Sequence, residues 1–371
     1  MANLNLGLEG IVVAESSISR VDGERGELIY RGYWVEDVIK DHCFEDIVFL
    51  LWHGHLPSVS ESEAFKHSLI ENRELPTYIK EIIRCLPTTL TPMDVLRTVI
   101  SALTVPGANW PPTIEQATVL FAKAPIIVAY YFNHINGVPE RQSRNDLGHA
   151  ANYLYLLHGA IPEKSHVRAL EAYWMLSADH DMNASTFTSR VVTSTMADTV
   201  SAIVAAIGAM IGPLHGGAPS HVDEMLDAIG TEENAEPWLR RAIENGERLM
   251  GFGHRVYKTY DPRGAALKEI VKQFSDDNHL FKLSLHVEDV AVRLLNEYKP
   301  GRNLFPNLEF WAAGVLRTIN LSKELYTPTF TLSRIAGWSA QIIEQSENNR
   351  LIRPSCVYIG AEPKTEHIKQ M

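Results

Sequence analysis

The chain has 371 residues, of which 45% are hydrophobic and 21% charged, and a formal net charge of -11 at pH 7. That length buries a substantial core, as two domains or as one with a large insertion, and the acidic balance excludes broad electrostatic binding to nucleic acid or to an anionic membrane. Cys43, Cys85 and Cys356 are widely spaced and odd in number, which predicts no disulfide framework and a reducing, cytoplasmic setting.

The first residues lack the basic start and apolar stretch of an export signal, so none is expected. β-prone runs at 11–14, 17–21 and 27–30, punctuated by Asp22-Gly23 and Gly26, predict a small N-terminal hairpin. Helical spacing then takes over at 44–52, 61–70, 91–103 and 115–131. Thr91 supplies an N-cap followed by Pro92 at the first helical position, and Pro125 predicts a kink in the last of these helices. Further helices are expected at 147–157, 163–176 and 198–210, then at 222–229, 235–245, 265–274 and 283–298 in a more charged region, and at 333–346 before a β-prone tail at 356–359. The apolar runs at 124–132 and 202–211 fall well short of the roughly 18 residues that a membrane span needs and read as buried helices.

Of fifteen histidines, His180, His215 and His254 stand in distinctive contexts. His215 lies in Gly212-Pro213-Leu214-His215-Gly216-Gly217-Ala218, where glycines permit close approach of a ligand or another backbone. His254 lies in Gly251-Phe252-Gly253-His254-Arg255-Val256-Tyr257-Lys258, which combines flexible backbone, an imidazole and two cations. Gly251-x-Gly253 lacks the third glycine of a dinucleotide fingerprint, and no Gly-x-Ser-x-Gly elbow accompanies His215-Gly216-Gly217. No His-x-x-x-His or His-Glu-x-x-His spacing points to a metal. Asp179-His180-Asp181 and Asn183 to Thr186 fit helix ends and caps. Arg263, Arg334, Arg350 and Arg353 read singly as surface residues, although guanidinium groups also suit bidentate recognition of carboxylates.

In this order the two glycine-flanked histidine strings, with Gly7 to Gly10, Tyr30 to Tyr33 and Asn349 to Pro354, closely resemble the citrate synthases and the similar 2-methylcitrate synthases over nearly the whole chain. The resemblance implies a mainly α, citrate synthase-like homodimer. Its large helical domain would comprise 1–218 and 323–371, with an inserted smaller helical domain, 219–322, closing over the substrates. It implies an acyltransferase that condenses acetyl-CoA with oxaloacetate to citrate. His254, Arg263 and Arg334 would meet the 2-oxo acid, His180 would help hold it, and Arg353 would reach in from the partner subunit. His215 would stabilise the enolate oxygen and Glu309 would abstract the proton. Lys258 and Arg255 would meet the coenzyme A phosphates, and the backbone at 251–253 the adenine end. No metal or further cofactor is implied, the coenzyme A thioester being a substrate.

The commoner family pattern has Asp where this chain has Glu309, whose additional methylene changes reach. Two other readings stand beside citrate synthase: a 2-methylcitrate synthase using propionyl-CoA, and a catalytically weak homologue that binds acyl-CoA or oxo acid and acts through protein association.

Overall fold

In the computed structural model, which describes residues 4–107, 109–216, 218–254, 256–273 and 279–361, the chain opens with a three-stranded antiparallel sheet. Strands β1 (Ser19–Asp22) and β2 (Glu27–Tyr30) pair with Ser19 opposite Tyr30 and Asp22 opposite Glu27, and β3 (Tyr33–Trp34) extends the sheet. Asp22 Oδ1 braces the β1–β2 turn by accepting the amides of Glu24 and Arg25, each at 3.0 Å. On β2, Leu28 and Tyr30 point into the core while Glu27 and Ile29 are half-buried, the alternation of a half-covered strand. The β-prone run 11–14 forms no strand, because its apolar side chains find no sheet edge: Val12 stays exposed. The tail at 356–359 is likewise without strand structure.

Sixteen α-helices follow among the described residues, confirming the mainly helical expectation. They are α1 (Val35–Asp41), α2 (Phe44–His53), α3 (Val59–Glu71), α4 (Thr77–Cys85), α5 (Pro92–Ala102), α6 (Ile114–Ile135), α7 (His149–His158) and α8 (Lys164–Ser177), then α9 (Ala184–Ser194), α10 (Thr199–Ile211), α11 (Ala218–Ile229), α12 (Glu232–Glu244), α13 (Pro262–Lys272), α14 (His279–Tyr298), α15 (Leu308–Thr318) and α16 (Tyr326–Glu347). Capping boxes at Ser58, Thr91 and Thr113 start α3, α5 and α6, each satisfying orphan amides at a helix N-terminus. Helix α6 runs uninterrupted through the buried Pro125, and its packing against α5, α7 and α16 compensates for the missing amide.

Helix α16 is the axis of the core. It is buried along most of its length and packs on α2, α6, α8, α9 and α10. Three buried indoles reach it or leave it with their N–H satisfied: Trp52 donates to Ala336 O at 2.9 Å, Trp174 to Thr329 O at 2.8 Å, and Trp338 to Ser185 Oγ at 3.0 Å. A buried donor left unpaired would cost about 1–3 kcal/mol, so these bonds fix how α2, α8 and α9 sit against the axis. Helices α13 and α15 pack together and against α8, which brings the starts of both beside the end of α8. No described helix is long and apolar enough to cross a membrane.

Candidate active site

The loop that carries His254 is tied to the segment preceding α15. Gly253 N donates to Phe305 O at 2.8 Å, Asn307 N to Gly251 O at 2.9 Å, and the Asn307 side chain to Gly253 O at 2.9 Å. Gly251 and Gly253 hold φ of +81° and +80°, and a Cβ on Gly251 would lie 2.9 Å from Phe310 Cβ. Only glycine meets both demands. The same Asn307 caps α15 by accepting the Glu309 amide at 3.0 Å, so one residue orients the His254 loop and the helix that presents Glu309.

His254 has a defined tautomer. Its Nδ1 accepts the amides of Val256 at 3.0 Å and Tyr257 at 3.1 Å, which leaves the ring proton on Nε2. Burial, together with the Arg263 charge, pushes its pKa down to about 4, so the ring is neutral at pH 7. The Arg263 Nη2 lies 3.4 Å from Nε2. Both atoms carry hydrogens, so they do not bond to each other, and both are available to an acceptor placed beside them. His180 stands edge-on to His254 with ring centroids 5.5 Å apart, and its Nε2 is 3.2 Å from the Tyr257 hydroxyl. Burial, then Arg263 and Arg334, hold its pKa well below the ordinary range.

Two arginines flank these rings. Arg263 is held at two points by Asp261, Nε to Oδ1 at 3.0 Å and Nη2 to Oδ2 at 2.8 Å. Burial alone would raise the Asp261 pKa, yet Arg263 keeps the carboxylate below its usual value. Asp261 also accepts the Arg263 and Leu308 amides at 3.0 Å each, linking the starts of α13 and α15. Arg334, 4% exposed on α16, lies over the Phe330 ring, and its Nε and Nη1 have no acceptor among the described residues. Burial lowers its pKa, opposed by Asp179. A guanidinium buried with two donors unused is costly for the protein alone and suits recognition of a carboxylate.

His215 follows the end of α10. A Cβ on Gly216 would collide with Met210 O, so glycine is what lets the chain fold back over the helix end. His215 Nε2 lies 2.8 Å from Ser185 Oγ, which accepts the Trp338 indole N–H. Ser185 Oγ also lies 2.8 Å from Asn183 Oδ1, and its single proton serves either that oxygen, with His215 Nε2–H then donating to Oγ, or His215 Nε2, with the ring proton then on Nδ1. Burial, and then Arg334, push the His215 pKa down to about 4.

Glu309 stands in the first turn of α15, half-buried overall but with Oε2 closed off and without a partner. Burial pushes its pKa up to about 7, against the lowering charges of Arg263 and Arg334. A carboxyl near neutrality is suited to accept and release a proton at physiological pH.

The structure thus gathers His180, His215, His254, Arg263, Arg334 and Glu309 through direct contacts and mutual charge effects. Lys258 is exposed on the His254 loop, and its charge reaches that ring. Arg255 lies outside the described residues. Arg353 is exposed on the segment after α16, where it lines a surface cavity with Arg190 and Glu344, and among the described residues no hydrogen bond or ion pair joins it to the histidine group. Sequence reading passes over Ser185, Tyr257, Asp261 and Tyr173. Asp261 had a usable signal, since Asp before Pro-Arg is an N-cap pattern. Tyr173, whose buried hydroxyl has no partner, had none.

Fold and site define a predominantly helical enzyme in which buried guanidiniums, neutral imidazoles and one carboxyl of raised pKa are presented from loop ends and helix starts. The family model for the citrate synthase C-terminal domain matches residues 7–355, and the chain belongs to the citrate synthase family, which makes it an acyltransferase-type enzyme. It is 40% identical over 369 residues to citrate synthase 2 of Bacillus subtilis (strain 168), covering 96% of each chain. To the 2-methylcitrate synthase of Shewanella oneidensis it is 36% identical over 365 residues, covering 96% of this chain and 95% of the relative. The ternary complex of a Thermoplasma acidophilum citrate synthase with carboxymethyl coenzyme A and oxaloacetate superposes with a TM-score of 0.89 at 30% identity over 99% of both chains.

Proposed function

We propose that the protein is a citrate synthase, condensing acetyl-CoA with oxaloacetate and water to give citrate and coenzyme A. The observation that carries this is the pairing of donors without an acceptor among the described residues, Arg334 Nε and Nη1, with the adjacent donors His254 Nε2 and Arg263 Nη2. Oxaloacetate offers carboxylates to the guanidiniums and a ketone oxygen to the His254 Nε2–H. A neutral imidazole polarises that ketone without becoming a second cation beside Arg263.

In this mechanism Glu309 takes a proton from the thioester methyl. His215 stabilises the developing enolate oxygen, for which the Ser185 hydroxyl proton turns toward Nε2 and leaves the ring proton on Nδ1. The methylene carbon attacks the ketone carbon, the new alkoxide receives a proton, and water cleaves the thioester. Residues 1–218 and 323–371 would form a large domain, and 219–322 a smaller one that closes over the cleft. Lys258 would meet the coenzyme A phosphates, with Arg255 in the same role. The enzyme would act in the cytoplasm as a homodimer in which Arg353 completes the neighbouring site. Exposed apolar residues at both chain ends, among them Leu6, Val12, Leu351 and Ile359, support such an interface.

A 2-methylcitrate synthase is the second reading, supported by a relative of that name at 36% identity. The two differ by one methylene on the acyl group, worth about 1–3 kcal/mol in an apolar pocket. Thiol release from acetyl-CoA and from propionyl-CoA, each with and without oxaloacetate, tests both. Citrate synthase predicts oxaloacetate-dependent release with acetyl-CoA as the better substrate; release independent of oxaloacetate would mean a plain thioesterase. Binding of both ligands without turnover would mean a non-catalytic homologue.

A further inference from the structure

The small N-terminal sheet touches both substrate-side segments at once. At one end, Ser19 Oγ donates to Asp179 Oδ2 and accepts the Asp181 amide at 3.0 Å, while the Tyr30 hydroxyl donates to Asp179 O at 2.8 Å and accepts the Asp179 amide at 3.1 Å. These bonds hold the chain on both sides of His180. At the other end, the β1–β2 turn lies directly on the His254 loop. Lys258 N donates to Gly23 O at 2.8 Å. A Cβ on Gly23 would sit on Val256 O, 2.8 Å from its carbonyl carbon, and one on Gly26 would be 2.8 Å from Thr259 Cγ2.

Val256 and Tyr257 are the residues whose amides hold His254 Nδ1, and the Tyr257 hydroxyl meets His180. The hairpin register and the Asp22 brace keep the two ends of the sheet at a fixed separation. Gly23 is outside the left-handed region, so its need for glycine is steric: a backbone carbonyl occupies the place of a side chain, and a carbonyl cannot rotate away as a flexible side chain would.

We propose that the β1–β2 hairpin positions the active site by setting the His180–His254 spacing, and that Gly23 is a positioning residue for His254. A side chain at 23 displaces the Val256 carbonyl, and with it the two amides that fix the His254 tautomer and the hydroxyl that meets His180. This inference rests on the functional reading above for the roles of His180 and His254, though not for the contact itself.

The test uses the full-length protein carrying Gly23→Ala, with Glu24→Ala as the control, since Glu24 is exposed in the same turn. Hydrogen exchange is measured at the amides of 256–258 without substrate, alongside melting temperature and KM for oxaloacetate. Gly23→Ala is expected to speed exchange at 256–258 and to raise KM for oxaloacetate at least about tenfold, the size of effect that follows from weakening one hydrogen bond to a charged substrate. Its melting temperature should shift by only a few degrees, and Glu24→Ala should match the wild type in all three. Unchanged exchange and KM in Gly23→Ala, or equal effects in Glu24→Ala, would overturn the proposal. If Gly23→Ala does not fold, Gly26→Ala, whose Cβ would meet both Thr259 Cγ2 at 2.8 Å and Tyr260 O at 2.9 Å, takes its place in the same measurements. Faster exchange at 256–258 with a raised KM supports the hairpin's role, and unchanged values of both overturn it. A wild-type protein with no oxaloacetate-dependent thiol release would sink the functional reading, while the exchange measurement would still judge the hairpin.

Discussion

Asp261 binds Arg263 through both carboxylate oxygens and, with the same Oδ2, accepts the amide of Leu308, one residue before Glu309. One buried carboxylate therefore fixes the Arg263 guanidinium and the start of the helix that carries Glu309. Asp261→Asn preserves the shape and removes the charge. The expected outcome is a loss of stability of about 3–5 kcal/mol, the usual effect of breaking a buried ion pair, and a rise in KM for oxaloacetate. Chemical denaturation and steady-state kinetics check it; an unchanged midpoint would mean that Arg263 finds its counter-charge elsewhere.

The pH dependence of stability follows from the depressed histidines. His215 and His254 have pKa values of about 4 in the folded protein, against about 6.5 for a free histidine. Between those values the unfolded chain binds more protons than the folded one, so each ring's contribution makes stability rise with pH from about 4 to 6.5 and level off above. The contribution is lost as pH falls through that window. His254→Asn should flatten this part of the curve relative to wild type, measured as the difference in denaturation midpoint at pH 4.5 and 7.5. An undiminished slope in the variant would remove His254 as its source.

The sequence made the long, strongly periodic helices readable, α2, α5, α6, α8 and α16 among them, since their buried faces recur at helical spacing. It offered the cap at Asn183 that starts α9 but no range for the helix, whose Ser, Thr and Val content favours caps and strands until burial against α10 and α16 overrides propensity. Helices α1 and α4 span only seven and nine residues, too few for the apolar period to repeat clearly, and α15 also goes unread. At the site, glycine context singles out His215 and His254, because backbone constraint is written locally. Arg263 and Arg334 look like any surface arginine until the fold buries them, and only the family resemblance points to them. Ser185 and Tyr257 act through contacts between remote segments, which no local pattern encodes, and at Asp261 a local pattern shows the cap but not the bond to Leu308.

If Arg353 completes the neighbouring subunit's site, activity belongs to the pair. Arg353→Ala and His254→Ala homodimers should each be nearly inactive. Mixing them under conditions of subunit exchange should restore up to about a quarter of wild-type sites, since half the dimers are hybrids and each hybrid has one intact site. Thiol release after mixing, compared with the sum of the two separate preparations, measures this. Recovery no greater than that sum would place Arg353 outside the neighbour's site.

Glu309 stands where the resemblance implies that Asp is the commoner residue, and its place in the structure makes its test specific. As the base, it must be deprotonated to act, so with a pKa pushed up to about 7 kcat should fall as pH drops through 7, with that limb assigned to this residue. Glu309→Gln keeps the shape without the basicity, and should lower kcat by at least about 100-fold while leaving oxaloacetate affinity largely unchanged, because Arg263, Arg334 and His254 remain. Glu309→Asp separates two accounts of the longer side chain. The Glu309 amide is fixed by Asn307 at 3.0 Å, so the backbone is anchored and shortening the side chain withdraws the carboxylate from the thioester methyl. A retreat of about 1 Å is expected to cost on the order of 100-fold in kcat. If Asp instead raises kcat, the site is built for the shorter acid and Glu309 is the poor fit. Near-normal turnover by Glu309→Gln, with the limb near pH 7 retained, would take Glu309 out of the mechanism.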